Sequence, residues 1–394
     1  MSYPKDKNWA YALPAALLLL APFNILASLA MDIYLPVVPA MPAILATTPS
    51  LIQLTLSLYM ILLGVGQIVF GPLSDRIGRR PVLLGGAVLF AAASFLLAGV
   101  SSAALFLALR LVQALGASAM LVALFATVRD AYADRPESAA IYSLLNAMLA
   151  LVPALGPILG ALLADQFGWR GLFIALGAPA LIALAWAWLR WPETAPAQAT
   201  KRQGGLWPIL RSRDFWAYTL AFSAAMGSFF VFFSTAPRLL IMRAGFSELG
   251  FSLAFATAAL VMIVAARFAA VFVRIWGIAG CARRGMALLL LGSGALALGE
   301  LFLAPSFLSF VLPMWIIATG IVVTASVTAD GALAEFGDIA GAAVAVYFCI
   351  QSLIVGLVGT AAVVLLAGDT AWPLAAYASG MALAALLALS RRRR

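Results

Sequence analysis

The chain has 394 residues, of which 65% are hydrophobic and 10% charged, and its mean hydropathy is +1.07. Soluble domains are roughly half apolar and a quarter charged, so this composition excludes a water-soluble globular protein and leaves a polytopic membrane protein. The net charge of +9 and the terminal run of four arginines read as loop retention on one side of a membrane and contact with anionic lipid, not as nucleic-acid binding.

Apolar runs of about 20 residues, enough to cross about 30 Å of hydrocarbon, recur twelve times. They lie near 11–37, 50–70, 82–100, 103–128, 139–164, 171–190, 215–241, 248–273, 285–303, 306–329, 340–366 and 371–389. Barrel strands alternate over about ten residues, whereas these runs are continuous, so the expected fold is all-α and integral to the membrane. The first run passes through Asp32 without the short core and small-residue cleavage pattern of a signal peptide, so no cleavage is expected. Of the 24 lysines and arginines, Arg170, Arg238 and Arg243 fall in loops on one side, Arg110 and Arg267 fall within spans, and all the rest share the other side. That asymmetry predicts a cytoplasmic N-terminus and a cytoplasmic C-terminus.

Span one carries Asp32 within a membrane-spanning run, where a charge costs at least about 2.5 kcal/mol on insertion scales. Asn24 and Ser28 precede it at successive four-residue steps, which on a helix sets the three polar groups along one face, with Asn24 about 12 Å from Asp32. That face should point into the protein. Pro22 must free a backbone carbonyl within the same span. Span two includes Gln53, Tyr59 and Gln67, with Gly64 and Gly66 available for close helix contact.

The stretch GPLSDRIGRRPVLL, Gly71 to Leu84, joins spans two and three. Gly78 suits a tight turn, and Asp75 with Arg76, Arg79 and Arg80 makes a dense charge cluster that simple loop retention does not need. The pattern GxLxDRxGRRxxL resembles the loop motif of the major facilitator superfamily over a dozen positions. The resemblance implies that Gly71, Asp75, Arg76, Gly78, Arg79 and Arg80 form a gate that locks and releases during transport and do not bind substrate.

Span four contains Arg110, Gln113 and Gly116, similar to the Arg, Gln and Gly of the corresponding helix in that superfamily. Arg110 lies too deep to reach water easily, so pairing with the face of Asn24 and Asp32 is expected, with a structural or interfacial role as the alternative. In span five, Pro153, Gly156, Pro157 and Gly160 predict a bent, closely packed helix. Packing alone explains them, yet GPxxG after an earlier proline also resembles the superfamily's antiporter motif and implies export.

Residues 191–213, rich in Pro, Gly and basic side chains, read as a linker between an N-terminal six-helix half, 1–190, and a C-terminal half, 214–394. VRIWGIAGCARRGM after span eight is similar to the loop after span two but lacks its acid, which points to a lost gating role. Span seven is dense in Phe, including Phe229; span ten carries Trp315; span eleven carries Tyr347 and Gln351. Such residues face lipid or core more often than ligand, although a drug cavity needs walls of this kind. Histidine is absent, so proton chemistry has to run through a carboxylate. Cys281 is placed in a loop and Cys349 within a span, and neither a disulfide nor a metal site is expected.

Across nearly the whole chain, LASLAMDIYLPVVPAMP, IQLTLSLYM, GPLSDRIGRRP, LFATVRDAYADRPE and MGSFFVFFSTAPR resemble bacterial drug/proton antiporters with twelve spans, specifically the florfenicol and chloramphenicol exporters. The likeness implies two pseudo-symmetric six-helix bundles in the bacterial inner membrane and no enzymatic activity. It implies a proton as coupling ion with no cofactor or metal, a small drug and the lipid bilayer as partners, and a monomer as sufficient. It also implies Asn24, Asp32, Tyr59, Arg110, Gln113, Phe229, Trp315 and Gln351 as substrate contacts, with Asp32 carrying the proton. Those relatives have an acid where this chain has Asn24, which puts the coupling in question. A broader multidrug or metabolite exporter is the alternative; an uptake symporter, a receptor and a membrane enzyme are disfavoured.

Overall fold

The computed structural model describes residues 9, 11–132, 135, 137–195, 207–336 and 340–391, with helices throughout and no strand among those residues. In chain order these are α1 (Leu13–Asp32), a 3-10 turn (Leu35–Val37), α2 (Met41–Ile44), α3 (Pro49–Ile77), α4 (Arg79–Gly99), α5 (Ala103–Tyr132) and α6 (Glu137–Arg190). From residue 207 on, starting within the expected linker, come α7 (Trp207–Arg211), α8 (Arg213–Pro237), α9 (Glu248–Arg267), α10 (Ala269–Phe302), α11 (Leu312–Leu333), α12 (Ala340–Leu365) and α13 (Trp372–Ser390). Proline in the first turn of α1, α11 and α13 costs no hydrogen bond there. Ser212 and Ser247 cap α8 and α9 by accepting from the N–H of Phe215 at 3.2 Å and of Gly250 at 3.0 Å.

Among the described residues, eleven helices or helix runs are long and apolar enough to cross a membrane. One of them, Ala140–Arg190, has 51 residues, about 75 Å of helix, more than twice the hydrocarbon thickness. Gly168 breaks it at φ 68, ψ 176, so it supplies both the fifth and the sixth expected span and brings the number to twelve. Gly277 breaks α10 in the same way at φ 63, ψ 175. The residues before it prolong the α9 span, and the next span starts well ahead of the expected residue 285. Cys281, expected in a loop, is therefore inside α10 and fully buried, and Cys349 is buried in α12.

The chain packs as two compact units. One contains the residues up to Tyr34 and those from Leu62 to the linker; the other contains Leu35–Ile61 and the residues after the linker. This departs from two contiguous halves. Leu35–Ile61 joins the second unit because its polar side chains bind there: Gln53 Nε2 donates to Ser234 Oγ of α8 at 3.0 Å, and Thr360 of α12 donates to Ser57. Gly356 of α12 leaves the space that Ile61 fills. Of the expected linker 191–213, residues 196–206 lie outside the described residues.

In the first unit α4 packs on α5, and α6 packs on α1 and α4. Gly86 and Gly116 meet backbone to backbone, a Cβ on Gly116 falling 2.6 Å from the Gly86 carbonyl oxygen. In the second unit α10 packs on α11, and α8 on α11, α12 and α13. Here Gly285 and Gly320 make the equivalent contact, at 2.8 Å from a Cβ on Gly320 to the Gly285 carbonyl oxygen. Gly285 follows the turn glycine Gly277 by the same eight residues that separate Gly86 from Gly78. The repeat that was faint in side chains is thus plain in where the backbones must touch.

Candidate functional site

The first unit gathers four of the sequence candidates around α1. Helix α1 ends at Asp32, so its last carbonyls lack partners within the helix. Arg110, fully buried on α5, donates from Nη1 to the carbonyl of Ala30 at 3.0 Å and to Gln113 Oε1 at 2.7 Å. Its guanidinium also lies 5.2 Å from the centroid of the Tyr34 ring. A cation at a helix C-terminus is favourable, because the aligned peptide dipoles leave partial negative charge there. Gln113 Nε2 donates in turn to Ser94 Oγ at 2.8 Å, which donates to the Phe90 carbonyl at 2.6 Å. A chain of hydrogen bonds therefore runs from the end of α1 through α5 to α4. Arg110 meets α1 at the Ala30 carbonyl, close to the end of the helix.

Asp32 is 6% exposed, and its Oδ1 accepts no hydrogen bond. Helix α6 closes over it. A Cβ on Gly156 would lie 2.6 Å from the Asp32 Cβ, and one on Gly160 would collide with the Ile33 carbonyl. Pro153 and Pro157 lie inside α6 on the same stretch. The two glycines of the span-five pattern thus bring the α6 backbone directly against the end of α1, Gly156 at Asp32 and Gly160 at Ile33. Asn24 is fully buried and donates to the Leu145 carbonyl of α6 at 2.9 Å, leaving its Oδ1 without a partner. On α1 the arrangement offers one carboxylate oxygen and one amide oxygen with free lone pairs, acceptors for a proton on the first and for hydrogen-bond donors on both in a dry environment.

The other four candidates belong to the second unit. Tyr59 is fully buried on α3. Phe229 on α8 is half-buried, its ring 6.1 Å from that of Phe255. Trp315 on α11 donates from Nε1 to Thr257 Oγ1 at 3.0 Å. Gln351 on α12 is buried, with Nε2 unpartnered and Oε1 accepting from Ser352 at 3.4 Å. Phe229 and Trp315 are held by packing and a hydrogen bond within the unit, while Gln351 keeps a free donor.

The charge cluster between α3 and α4 is built around Arg79, which is buried. Its guanidinium binds Asp75 at 2.5 Å, Asp130 at 2.8 Å and Ser74 Oγ at 2.7 Å. Gly78, at φ 104, makes the turn, and Arg80 donates to the Trp188 carbonyl at 2.7 Å. Arg76 is exposed, and a side chain at Gly71 would meet open space. Sequence reasoning missed Asp130 and Glu193. Asp130 could have been found as an acid beside Arg129, at the arginine-rich end of span four. The Glu193 carboxylate accepts the N–H groups of Arg79 at 2.8 Å and Arg80 at 3.2 Å, filling the anion site at the start of α4. A Cβ at Gly78 would run into that carboxylate. Glu193 follows Trp191, which is buried with its ring 5.1 Å from Trp9 and 5.9 Å from Phe23.

The chain is 50% identical, over 95% of its length and 89% of the relative's, to a chloramphenicol resistance protein of Pseudomonas aeruginosa. It is 30% identical to the multidrug resistance protein MdtL of Klebsiella pneumoniae (strain 342), over 62% of each chain. Among solved structures it resembles a D-xylose-proton symporter, with a TM-score of 0.79 and 16% identity over 96% of this chain and 97% of that one. A POT family transporter gives a TM-score of 0.73 and 15% identity over 98% and 97%. At such identities the two structures speak to the fold alone. The model of the Major Facilitator Superfamily matches residues 20–360, well over half of the sequence and spanning both sides of the linker. The helical architecture and this match lead to one assignment: the chain belongs to the major facilitator superfamily.

Proposed function

We propose that this transporter exports amphenicol antibiotics such as chloramphenicol and florfenicol by alternating access driven by inward proton flow, and so confers resistance. The observation that carries the reading is the 50% identity, over 95% of the chain, to a protein named for chloramphenicol resistance. Phenicols are small, neutral and aromatic with one polar end, a chemistry suited to apolar walls and a few fixed amide and guanidinium groups. Asn24 and Arg110 supply hydrogen bonds to the drug. Asp32, with an unpartnered oxygen and 6% exposure, takes a proton on the outer side and gives it up inside. The proton is the coupling ion, and no cofactor is needed. In this reading the transporter lies in the inner membrane of a bacterium and works as a monomer, with both termini in the cytoplasm, an orientation supported by the excess of lysine and arginine on one side of the spans.

Drug-induced proton release from everted vesicles tests the coupling. The chain as it stands and its Asn24→Asp variant release protons when chloramphenicol is added, whereas Asp32→Asn does not, and a protonophore abolishes resistance in cells. Unchanged proton release by Asp32→Asn overturns the assignment. A second reading, a broader multidrug exporter, is favoured by the MdtL relatives. Competition of chemically distinct drugs with labelled chloramphenicol separates the two.

A further inference from the structure

A groove of about 330 Å³ opens on the outer surface of the second unit, between α10 and α11. Its floor is one stripe of α10, Arg284, Ala287, Leu288 and Leu291 at helical spacing, beside Thr319 and Val323 of α11. Phe272 and Trp276, from the part of α10 ahead of Gly277, close one end, their rings stacked 4.9 Å apart at 1°. The Arg284 guanidinium lies 4.9 Å over the Trp276 ring. From Arg284 to Leu291 the floor runs about 10 Å along the helix, and Leu291 is 62% exposed. In a membrane-spanning helix such exposure faces hydrocarbon, so the groove has an arginine at one end and opens to lipid along the rest.

Charge separates this end of the second unit from its counterpart in the first. With Gly277 matched to Gly78, Arg274 stands where the first unit has Asp75, and Ile278 stands where it has Arg79. The acid that pairs with arginine in the first unit has become a base. Arg274, Arg283 and Arg284 are all exposed, and among the described residues none of them forms an ion pair. A guanidinium forks onto phosphate oxygens through two N–H groups, and a basic pocket between membrane helices is the chemistry that holds anionic headgroups. A tryptophan at the same level matches the interfacial zone. A free aqueous anion has no use for the apolar floor, whereas a phospholipid uses both parts.

We propose that the groove between α10 and α11 binds an anionic phospholipid, its phosphate on Arg284 with Arg283 and Arg274 adding charge, and one acyl chain on Ala287, Leu288 and Leu291. The loop that lost its acid has thereby become a lipid site. The inference is independent of the drug and of proton coupling.

Native mass spectrometry of the purified full chain, titrated with phosphatidylglycerol or with phosphatidylcholine of the same acyl chains, tests it. Phosphatidylglycerol is retained several-fold better. Arg284→Gln lowers that preference about fivefold, the effect of one basic group near an anionic membrane, and Arg283→Gln lowers it less. Leu291→Trp, which fills the groove without changing charge, weakens retention of both lipids. Arg129→Gln, an exposed arginine of the first unit, changes nothing. Equal retention of the two lipids, an unchanged preference in Arg284→Gln, or displacement of the lipid by millimolar inorganic phosphate overturns the proposal.

Discussion

Asp32 and Gly156 show how little room the membrane interior leaves around a buried acid. The glycine has ordinary helical geometry, so alanine there carries no backbone strain, yet its Cβ would sit 2.6 Å from that of Asp32. Overpacking of this kind costs about 1–3 kcal/mol, and here it has to be relieved by moving the end of α1. Gly156→Ala is therefore expected to lower chloramphenicol resistance strongly at unchanged protein level in the membrane. Gly294→Ala, where nothing lies within 4 Å, is expected to leave resistance intact; minimum inhibitory concentrations alongside immunoblots provide the check. The sequence marked Gly156 as a packing or antiporter residue and Asp32 as a buried acid. It carried no sign that they touch, because their contact joins helices 124 residues apart in the chain, and no spacing rule reaches across that distance.

Among the elements, the turn between α3 and α4 divides into a buried and an exposed part. Arg79 and Asp130 are shielded, with side-chain exposures of 3% and 10%, whereas Asp75 is half exposed at 50%. Breaking a buried pair costs about 3–5 kcal/mol, because the remaining charge is left in a dry environment, while an exposed pair is worth about 1 kcal/mol or less. Asp130→Asn should consequently lower the thermal unfolding temperature in detergent by much more than Asp75→Asn does. Arg79→Lys should not restore stability, since one ammonium cannot reproduce a planar fork spread over Asp75, Ser74 and Asp130. The turn glycine and the charge-rich motif were legible locally, since both are written in consecutive residues. Glu193 was not, because its carboxylate reaches the start of α4 from a segment more than a hundred residues away.

At the level of the whole molecule, apolar composition alone identified a helical membrane protein, and the twelve runs were legible as lengths. The number of runs in the sequence also explains α6: its 54 residues are two spans broken at Gly168. An even number of spans returns the chain to the side on which it began. Fluorescent fusions after Arg391 and protease protection of an N-terminal tag should therefore place both ends on the same side, and opposite sides would mean that α6 crosses only once. The grouping of Leu35–Ile61 with the later helices was not legible, because Gln53 and Ser57 read equally well as packing residues of a first half. Repeat symmetry was hidden for a related reason: what recurs is the position of glycines at close backbone contacts, while the side chains around them have diverged. The placement of the cysteines has a practical use. The chain has only two, Cys281 and Cys349, and both are shielded within helices. A thiol-reactive probe added to intact membranes thus meets little native background, and single cysteines introduced along α1 or α6 can report solvent access during the transport cycle without first stripping the protein of its own thiols.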